Sequence, residues 1–109
     1  MYKFYLKRGD TSNDLQVTLT DDDGTAVDVT GATIVFNMKH VNSNTLKVNR
    51  GAVTLVTPAS GIVKYVWSAA NVNVAGKYRG EFEVTYANAK VQTFPNDSEL
   101  MIEIRDDLG

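Results

Sequence analysis

The stretch that decides the fold covers residues 76–86 and reads GKYRGEFEVTY. Apolar and polar side chains alternate along it, and this two-residue period places successive side chains on opposite faces of a sheet. The pattern predicts one long strand with a buried apolar face (Tyr78, Phe82, Val84 and Tyr86) and an exposed polar face (Arg79, Glu81, Glu83 and Thr85). Gly80 falls on the buried face, where its missing side chain predicts the close approach of a bulky neighbour such as Trp67.

The same alternation predicts further strands over residues 2–7, 15–20, 33–39, 62–68, 90–94 and 100–105. A hairpin is predicted at residues 21–24, which end in an Asp-Gly pair, with a short return strand over residues 25–29. Residues 52–57 and 62–68 predict a second hairpin, joined by a turn that begins at Pro58.

The remaining segments read as connections. An edge strand over residues 45–48 is predicted to stop at Asn49-Arg50-Gly51, and turns are predicted at 87–89 and 95–97. Residues 69–75 are the only candidate for a helical turn, as a short 3₁₀ or irregular crossover between sheets. Seven to nine short strands separated by turns predict an antiparallel β-sandwich, with a small β-barrel as the alternative.

Length, composition and charge exclude several classes of function. The chain has 109 residues, 43% of them hydrophobic, which is enough for a single domain with one core, and it has no cysteine to form a disulfide or a thiolate site. A net charge of -2 argues against nucleic-acid binding, because a phosphate backbone requires a basic surface. The apolar runs fall far short of the roughly 20 residues that cross a bilayer, so no membrane insertion is expected. The first ten residues are unlike a signal peptide.

Three motifs suggest chemistry but are better explained by structure. Arg8-Gly9-Asp10 is the cell-attachment tripeptide, yet it falls between two predicted strands, where a turn is expected. Asp21-Asp22-Asp23 offers carboxylates for Ca²⁺ but lacks the ligand spacing of a calcium loop, which favours a solvated hairpin turn. Glu81 and Glu83 imitate a glycosidase pair, but two glutamates on an exposed strand face are far more often solvated.

No catalytic, metal or cofactor site is predicted. His40 is the only histidine and falls at a strand end, where a surface position is the default. Neither Ser60 nor Ser68 is surrounded by a nucleophile motif. An enzyme would need convergent titratable groups that these residues do not supply.

Aromatic residues offer the remaining candidate site. A sugar could stack on an exposed platform of rings, but the inward register of the set favours core packing for Tyr65, Trp67, Tyr78, Phe82 and Tyr86. Tyr5 is the exception, because it faces outward with Lys3 and Lys7 if the other face of its strand is buried. Together with Arg8 and Asp10, these residues form a candidate interface.

Several motifs carry a family resemblance. The Ala75-Gly76-Lys77-Tyr78 segment is similar to the corner of Ig-like domains, where a tyrosine hydroxyl returns to upstream backbone. The wider pattern resembles the amino-terminal Ig-like domain of bacteriophage baseplate upper proteins, and it is carried by KRGDT (7–11), LTD (19–21), VTGA (29–32), VFNM (35–38), GIV (61–63), AGKYRGEF (75–82) and FPND (94–97). Departures are Asn71 and Asn73, where that family usually has acidic residues, and Ser98-Glu99, where a glycine-containing turn is expected.

The resemblance implies a structural module of the virion tail or baseplate. It implies attachment to other tail subunits within a larger oligomeric assembly, put together in the host cytoplasm, and it implies that these residues are the amino-terminal part of a longer protein. It implies neither a cofactor nor catalysis. A carbohydrate- or receptor-binding module for host recognition is the alternative function.

Overall fold

The computed structural model describes residues 2–43, 45–95 and 100–106, with the side chain of Tyr2 excepted. Nine strands lie in this part of the chain: β1 (Tyr2–Lys7), β2 (Leu15–Thr18), β3 (Thr33–His40), β4 (Leu46–Ala52), β5 (Thr54–Thr57), β6 (Ile62–Tyr65), β7 (Gly76–Thr85), β8 (Val91–Phe94) and β9 (Leu100–Arg105). Two short 3₁₀ turns cover Pro58–Ser60 and Ala69–Asn71. Among these residues there is no helix long and apolar enough to cross a membrane.

The strands form two sheets packed face to face. The larger has the order β1-β9-β7-β3-β4, with β8 also paired to β7, and the smaller has the order β2-β6-β5. Phe36 of the larger sheet joins the two layers, because its ring centre lies 4.8 Å from that of Tyr65 in the smaller sheet and 5.0 Å from that of Phe82 in its own. The predicted all-β sandwich is confirmed, and the barrel alternative is wrong because the two sheets do not close.

The predicted antiparallel arrangement is wrong for one strand pair. β1 and β9 run parallel, with Lys3 opposite Met101 and Tyr5 opposite Glu103. The other strand pairs of the described chain are antiparallel. Alternation assigns each side chain to a face but carries no information on strand direction, so the sequence pattern could not reveal this pairing.

The predicted faces of β7 are confirmed at its centre. Tyr78, Phe82 and Val84 are buried, whereas Tyr86, just beyond the strand, is half-buried and donates its hydroxyl to Gln92 Oε1 at 2.8 Å. Gly80 does permit close approach, but the nearest side chains are those of Phe36 and Ile102 and not that of Trp67. A Cβ at this glycine would lie 2.8 Å from Phe36 Cε1 and from a methyl group of Ile102, so the space belongs to adjacent strands of the same sheet.

The first predicted hairpin has its turn but not its return strand. The Asp21 N–H donates to the Thr25 carbonyl at 3.0 Å, and a single isolated bridge joins Thr20 to Ala26. The Val29 N–H then turns away to the Pro58 carbonyl at 2.9 Å. The expected strand over residues 25–29 is therefore wrong. The Val27 N–H still donates to the Leu19 carbonyl at 2.9 Å, but the bond from Val29 goes to the loop that precedes β6, so the ladder does not continue.

The predicted break at Asn49-Arg50-Gly51 is also wrong. β4 continues through Ala52, and the departure from regularity is an irregular register against β3 with Arg50 at φ 54. The Arg50 N–H donates to Asn37 Oδ1 at 2.8 Å. A side-chain acceptor on the neighbouring strand thus takes the place of a regular ladder bond at the bulge.

The second predicted hairpin is confirmed, but its first arm begins at Thr54, because Ala52 belongs to β4. Its Pro58–Ser60 turn ends at Gly61, which adopts φ 70, and a Cβ there would lie 2.6 Å from the Val27 carbonyl oxygen. The left-handed backbone and the lack of space for a Cβ both require glycine at this position. The second arm ends at Tyr65, earlier than expected, although Val63, Tyr65 and Trp67 are buried as predicted.

The predicted crossover is a 3₁₀ turn held by an asparagine. Asn71 Oδ1 accepts the Tyr65 hydroxyl at 2.8 Å and the Ser68 N–H at 2.9 Å, and Asn73 Oδ1 accepts Lys47 Nζ at 2.6 Å. Each asparagine uses a side-chain oxygen that an acidic residue would also supply. The Asn96-Asp97 part of the predicted 95–97 turn, and Ser98-Glu99, lie outside the described residues.

Candidate interface

The Tyr5 side chain is the exposed aromatic of the first strand, as predicted. It is 50% exposed, although it lies on a strand whose opposite face buries Leu6. The guanidinium of Arg105 covers its ring, with Cζ 4.7 Å from the ring centre. This cation–π contact holds both side chains in place while leaving much of the ring accessible. Tyrosine and arginine are also the residue types enriched at protein interfaces.

Tyr5 lies in the middle one of three rows of outward-facing residues that run across the larger sheet. The strand registers place Lys3 beside Met101, Arg79 and Lys39 in the first row, Tyr5 beside Glu103 and Lys77 in the second, and Lys7 beside Arg105 in the third. We call the six cations of these rows, Lys3, Lys7, Lys39, Lys77, Arg79 and Arg105, the cationic face. Among the residues of these rows, Glu103 is the single carboxylate.

Glu103 is embedded in this positive surface. Arg105 Nε donates to Glu103 Oε2 at 2.8 Å, and this hydrogen bond is the main reason why the pKa of Glu103 lies below its ordinary value. The charges of Arg105, Lys77 and Lys3 lower that pKa further. Within these rows the six cations outnumber the one carboxylate, on a chain whose net charge is -2.

The Arg8-Gly9-Asp10 tripeptide is a turn tied to the body of the domain. The Gly9 N–H donates to the Val72 carbonyl at 2.9 Å, and the Asp10 N–H donates to the Lys7 carbonyl at 3.0 Å. Arg8 Nε lies 3.7 Å from a carboxylate oxygen of Asp106. The tripeptide is exposed at the end of β1, adjoining Lys7, but its backbone does not project as a free loop. The turn interpretation fits this geometry.

The other candidate residues do not converge on a reaction site. Tyr65, Trp67, Tyr78 and Phe82 are buried, so these rings offer no platform to a sugar. Glu83 faces Arg50, with 3.2 Å between a carboxylate oxygen and Nη1, while Glu81 is exposed. Among the described residues, no group of three or more His, Asp and Glu is placed to hold a metal ion.

The three aspartates at 21–23 belong to the turn itself. Asp21 Oδ1 and Asp23 Oδ1 both accept the Thr25 N–H, at 3.1 and 2.9 Å. The shared hydrogen bonding between the two carboxyls lowers the pKa of Asp23 to about 2 and raises that of Asp21. Two of the three carboxylates are thus used to fix the hairpin, as a solvated turn requires.

His40 is half-buried, which corrects the expected surface position. Its Nδ1 accepts the Asn42 N–H at 3.1 Å, and its ring meets that of Tyr78 edge-on with the centres 5.2 Å apart. It borders a shallow apolar groove of about 240 Å³ that also contacts Leu46 and Val74. No carboxylate lines this groove, so His40 has no acidic partner there.

Sequence reasoning missed Lys77, Glu103 and Arg105 as members of the candidate interface. Their outward orientation follows from the alternation, but their position beside Tyr5 depends on the parallel pairing of β1 with β9. The signal that could have found them was the recurrence of cations at outward positions of four separate strands.

Comparison with known protein families shows to which family this chain belongs. The family model of the BppU N-terminal domain matches residues 3–107, nearly the whole chain. This chain belongs to the BppU N-terminal domain family. BppU N-terminal domains are structural domains of the phage baseplate, and the family is not one of enzymes. Membership implies association with other phage tail or baseplate proteins and a place in the virion tail. No curated protein matches the chain.

Proposed function

We propose that this BppU N-terminal domain is an attachment module, which joins tail-tip or receptor-binding components to the baseplate without catalysing a reaction. The contact surface is the Tyr5-centred face of β1 together with the turn that follows it. The residues that carry the contact are Lys3, Tyr5, Lys7, Arg8 and Asp10. The domain acts within a larger oligomeric protein of the virion tail, assembled in the host cytoplasm.

The observation that carries this proposal is the Tyr5–Arg105 pair. An exposed ring fixed under a guanidinium presents a rigid amphipathic surface, and rigid side chains lose little entropy when a partner covers them. The ring also lies on an edge strand of the larger sheet, where a neighbouring subunit can reach it. The Ig-like corner fits the same module, because the Tyr78 hydroxyl donates to the upstream Val74 carbonyl at 2.7 Å.

The test is co-purification of the domain with the tail proteins encoded beside it. We expect Tyr5→Ala to weaken this association by about tenfold, as loss of a central aromatic contact does. Val91→Ala is the matched control, because Val91 is an exposed apolar residue (59%) on β8, which pairs with the far end of β7. Both variants should melt at the wild-type temperature.

Two results would overturn the proposal. One is unchanged association of Tyr5→Ala together with weakened association of Val91→Ala. The other is saturable binding to a glycan array that Tyr5→Ala abolishes, with wild-type association to tail proteins. That second result would favour the host-recognition alternative.

A further inference from the structure

The charges of this chain are separated in space although they nearly cancel in sum. Of its 11 lysines and arginines, six form the cationic face, whereas residues 20–28 contain four aspartates and no cation. We call residues 20–28, with Asp21, Asp22, Asp23 and Asp28, the acidic hairpin. All four aspartates are exposed. A net charge of -2 therefore conceals two strongly charged surfaces of opposite sign.

These two surfaces lie at opposite ends of β7. The cationic face includes Lys77, at the beginning of that strand. The chain leaving the acidic hairpin passes the other end, where a Cβ on Gly31 would lie 3.9 Å from the Cβ of Ala87. Eight residues separate Lys77 from Thr85, the last residue of β7, which at about 3.3 Å per strand residue is roughly 26 Å. The molecule is 46 Å long, so this stretch of β7 alone covers more than half of that length.

The acidic hairpin is also preorganised. Its turn is closed by the Asp21 N–H bond to Thr25, and Asp28 Oδ1 accepts both the N–H and the hydroxyl of Thr30, at 2.9 and 2.6 Å. The hydrogen bonds from Thr30 also lower the pKa of Asp28. A fixed and charged hairpin can meet a flat cationic sheet face without first having to order itself.

We propose that the cationic face binds the acidic hairpin of a second copy of this chain, in a head-to-tail contact. The inference rests on the proposed function, because it names the subunit that the Tyr5-centred face contacts. Since the two surfaces differ and lie at opposite ends, the contact is heterologous, and repetition gives a ring or a linear array instead of a twofold dimer. Mainly electrostatic contacts between exposed groups are weak, so the isolated chain is monomeric at micromolar concentration and associates at higher concentration in low salt.

The test measures self-association of the 109-residue chain by sedimentation equilibrium at about 0.01 M and about 0.15 M salt, where the Debye length falls from about 30 to about 8 Å. We expect the dissociation constant to rise at least about tenfold with salt. Lys77→Glu on the face and Asp22→Lys on the hairpin should each weaken association by about tenfold at low salt. Lys64→Glu, on the smaller sheet, is the control. It changes the net charge as much as Lys77→Glu does and should leave the dissociation constant within about twofold of the wild-type value.

A charge-swap mixture makes the test specific. A Lys77→Glu copy should bind an Asp22→Lys copy, because the altered face and the altered hairpin attract one another again. Restored association in this mixture supports the inference. The inference is overturned if the chain stays monomeric at millimolar concentration in low salt, or if it forms a closed twofold dimer. It is also overturned if neither Lys77→Glu nor Asp22→Lys changes the association, or if the cationic face binds poly-glutamate or duplex DNA and the chain does not self-associate. In each of these cases the proposed function still stands if tail proteins bind the domain and Tyr5→Ala weakens that binding. Conversely, if self-association is intact but tail proteins do not bind through Tyr5, the proposed function alone is overturned.

Discussion

The Tyr78 hydroxyl donates a hydrogen bond to the backbone carbonyl of Val74, four residues upstream, at 2.7 Å. The ring is buried while the hydroxyl reaches back across the entry to β7. The bond therefore ties the crossover that follows the smaller sheet to the strand that begins in the larger one.

Removal of this hydroxyl should destabilise the domain measurably. We expect Tyr78→Phe to lower the free energy of unfolding by about 1 kcal/mol, since the ring packing stays and one hydrogen bond is lost. Urea denaturation gives the value. Tyr86→Phe is the control. The Tyr86 hydroxyl bonds to the flexible side chain of Gln92 and not to backbone, so its loss should lower the free energy of unfolding less. Equal stability of wild type and Tyr78→Phe would mean that the corner contributes nothing.

Trp67 is the second test, because it lies where the two sheets meet. Its indole is 3% exposed and meets Phe36 and Tyr65 edge-on, with ring centres 5.9 and 5.3 Å apart. Trp67→Ala should cost about 3 to 5 kcal/mol by opening a cavity. The adjacent Val66→Ala, at a 52% exposed position, should cost less than about 0.5 kcal/mol. A denaturation midpoint that Trp67→Ala leaves unmoved would contradict the assigned inward face.

Asn71 should tolerate aspartate but not alanine. Its Oδ1 accepts two hydrogen bonds, from the Tyr65 hydroxyl and from the Ser68 N–H. Asn71→Ala leaves both donors without this acceptor, and we expect a loss of about 1 to 3 kcal/mol. Asn71→Asp keeps the acceptor and should stay within about 1 kcal/mol of wild type by chemical denaturation. Equal losses in both variants would show that the amide nitrogen, and not the oxygen, holds the turn.

Alkaline pH should destabilise the fold. Burial raises the pKa values of Tyr65, Tyr78 and Tyr86, so the folded chain favours the protonated phenols. Between the ordinary pKa of about 10 and the raised values, the folded state binds more protons than the unfolded state, and stability falls as pH rises. The urea midpoint should therefore be constant near pH 8 to about 9 and fall above about pH 10. Tyr78→Phe should reduce the drop, whereas a midpoint that rises with pH would reverse the sign of this linkage.

The alternation in β7 and β9 was enough to predict which side chains are buried, because every second residue of a strand faces the same way. Ile102 and Ile104 are buried and Arg105 is exposed, as this rule requires. The same rule misplaced the neighbour of Gly80. Which residue approaches a glycine depends on the strand beside it, and alternation is silent on that choice.

For the candidate interface, too, one part was predictable from a single strand and another part depended on the tertiary structure. The outward position of Tyr5 was predicted from its own strand, and the structure confirms its exposure. Arg105, which covers its ring, comes from the other end of the chain. The return segment 25–29 shows the converse error. Its residues favour a strand, but the Val29 N–H finds its acceptor at Pro58, a partner that only the folded chain supplies.

The sequence by itself determined the β class, the inward rings and the exposure of Tyr5, because these follow from a local two-residue period and from the cost of burying charge. Only the tertiary structure decided that β1 lies parallel to β9, and with it that scattered lysines and arginines gather on one face, far from the aspartates of the first turn. Pairing between distant strands is set by how the whole chain closes on its core, and no local pattern records that choice.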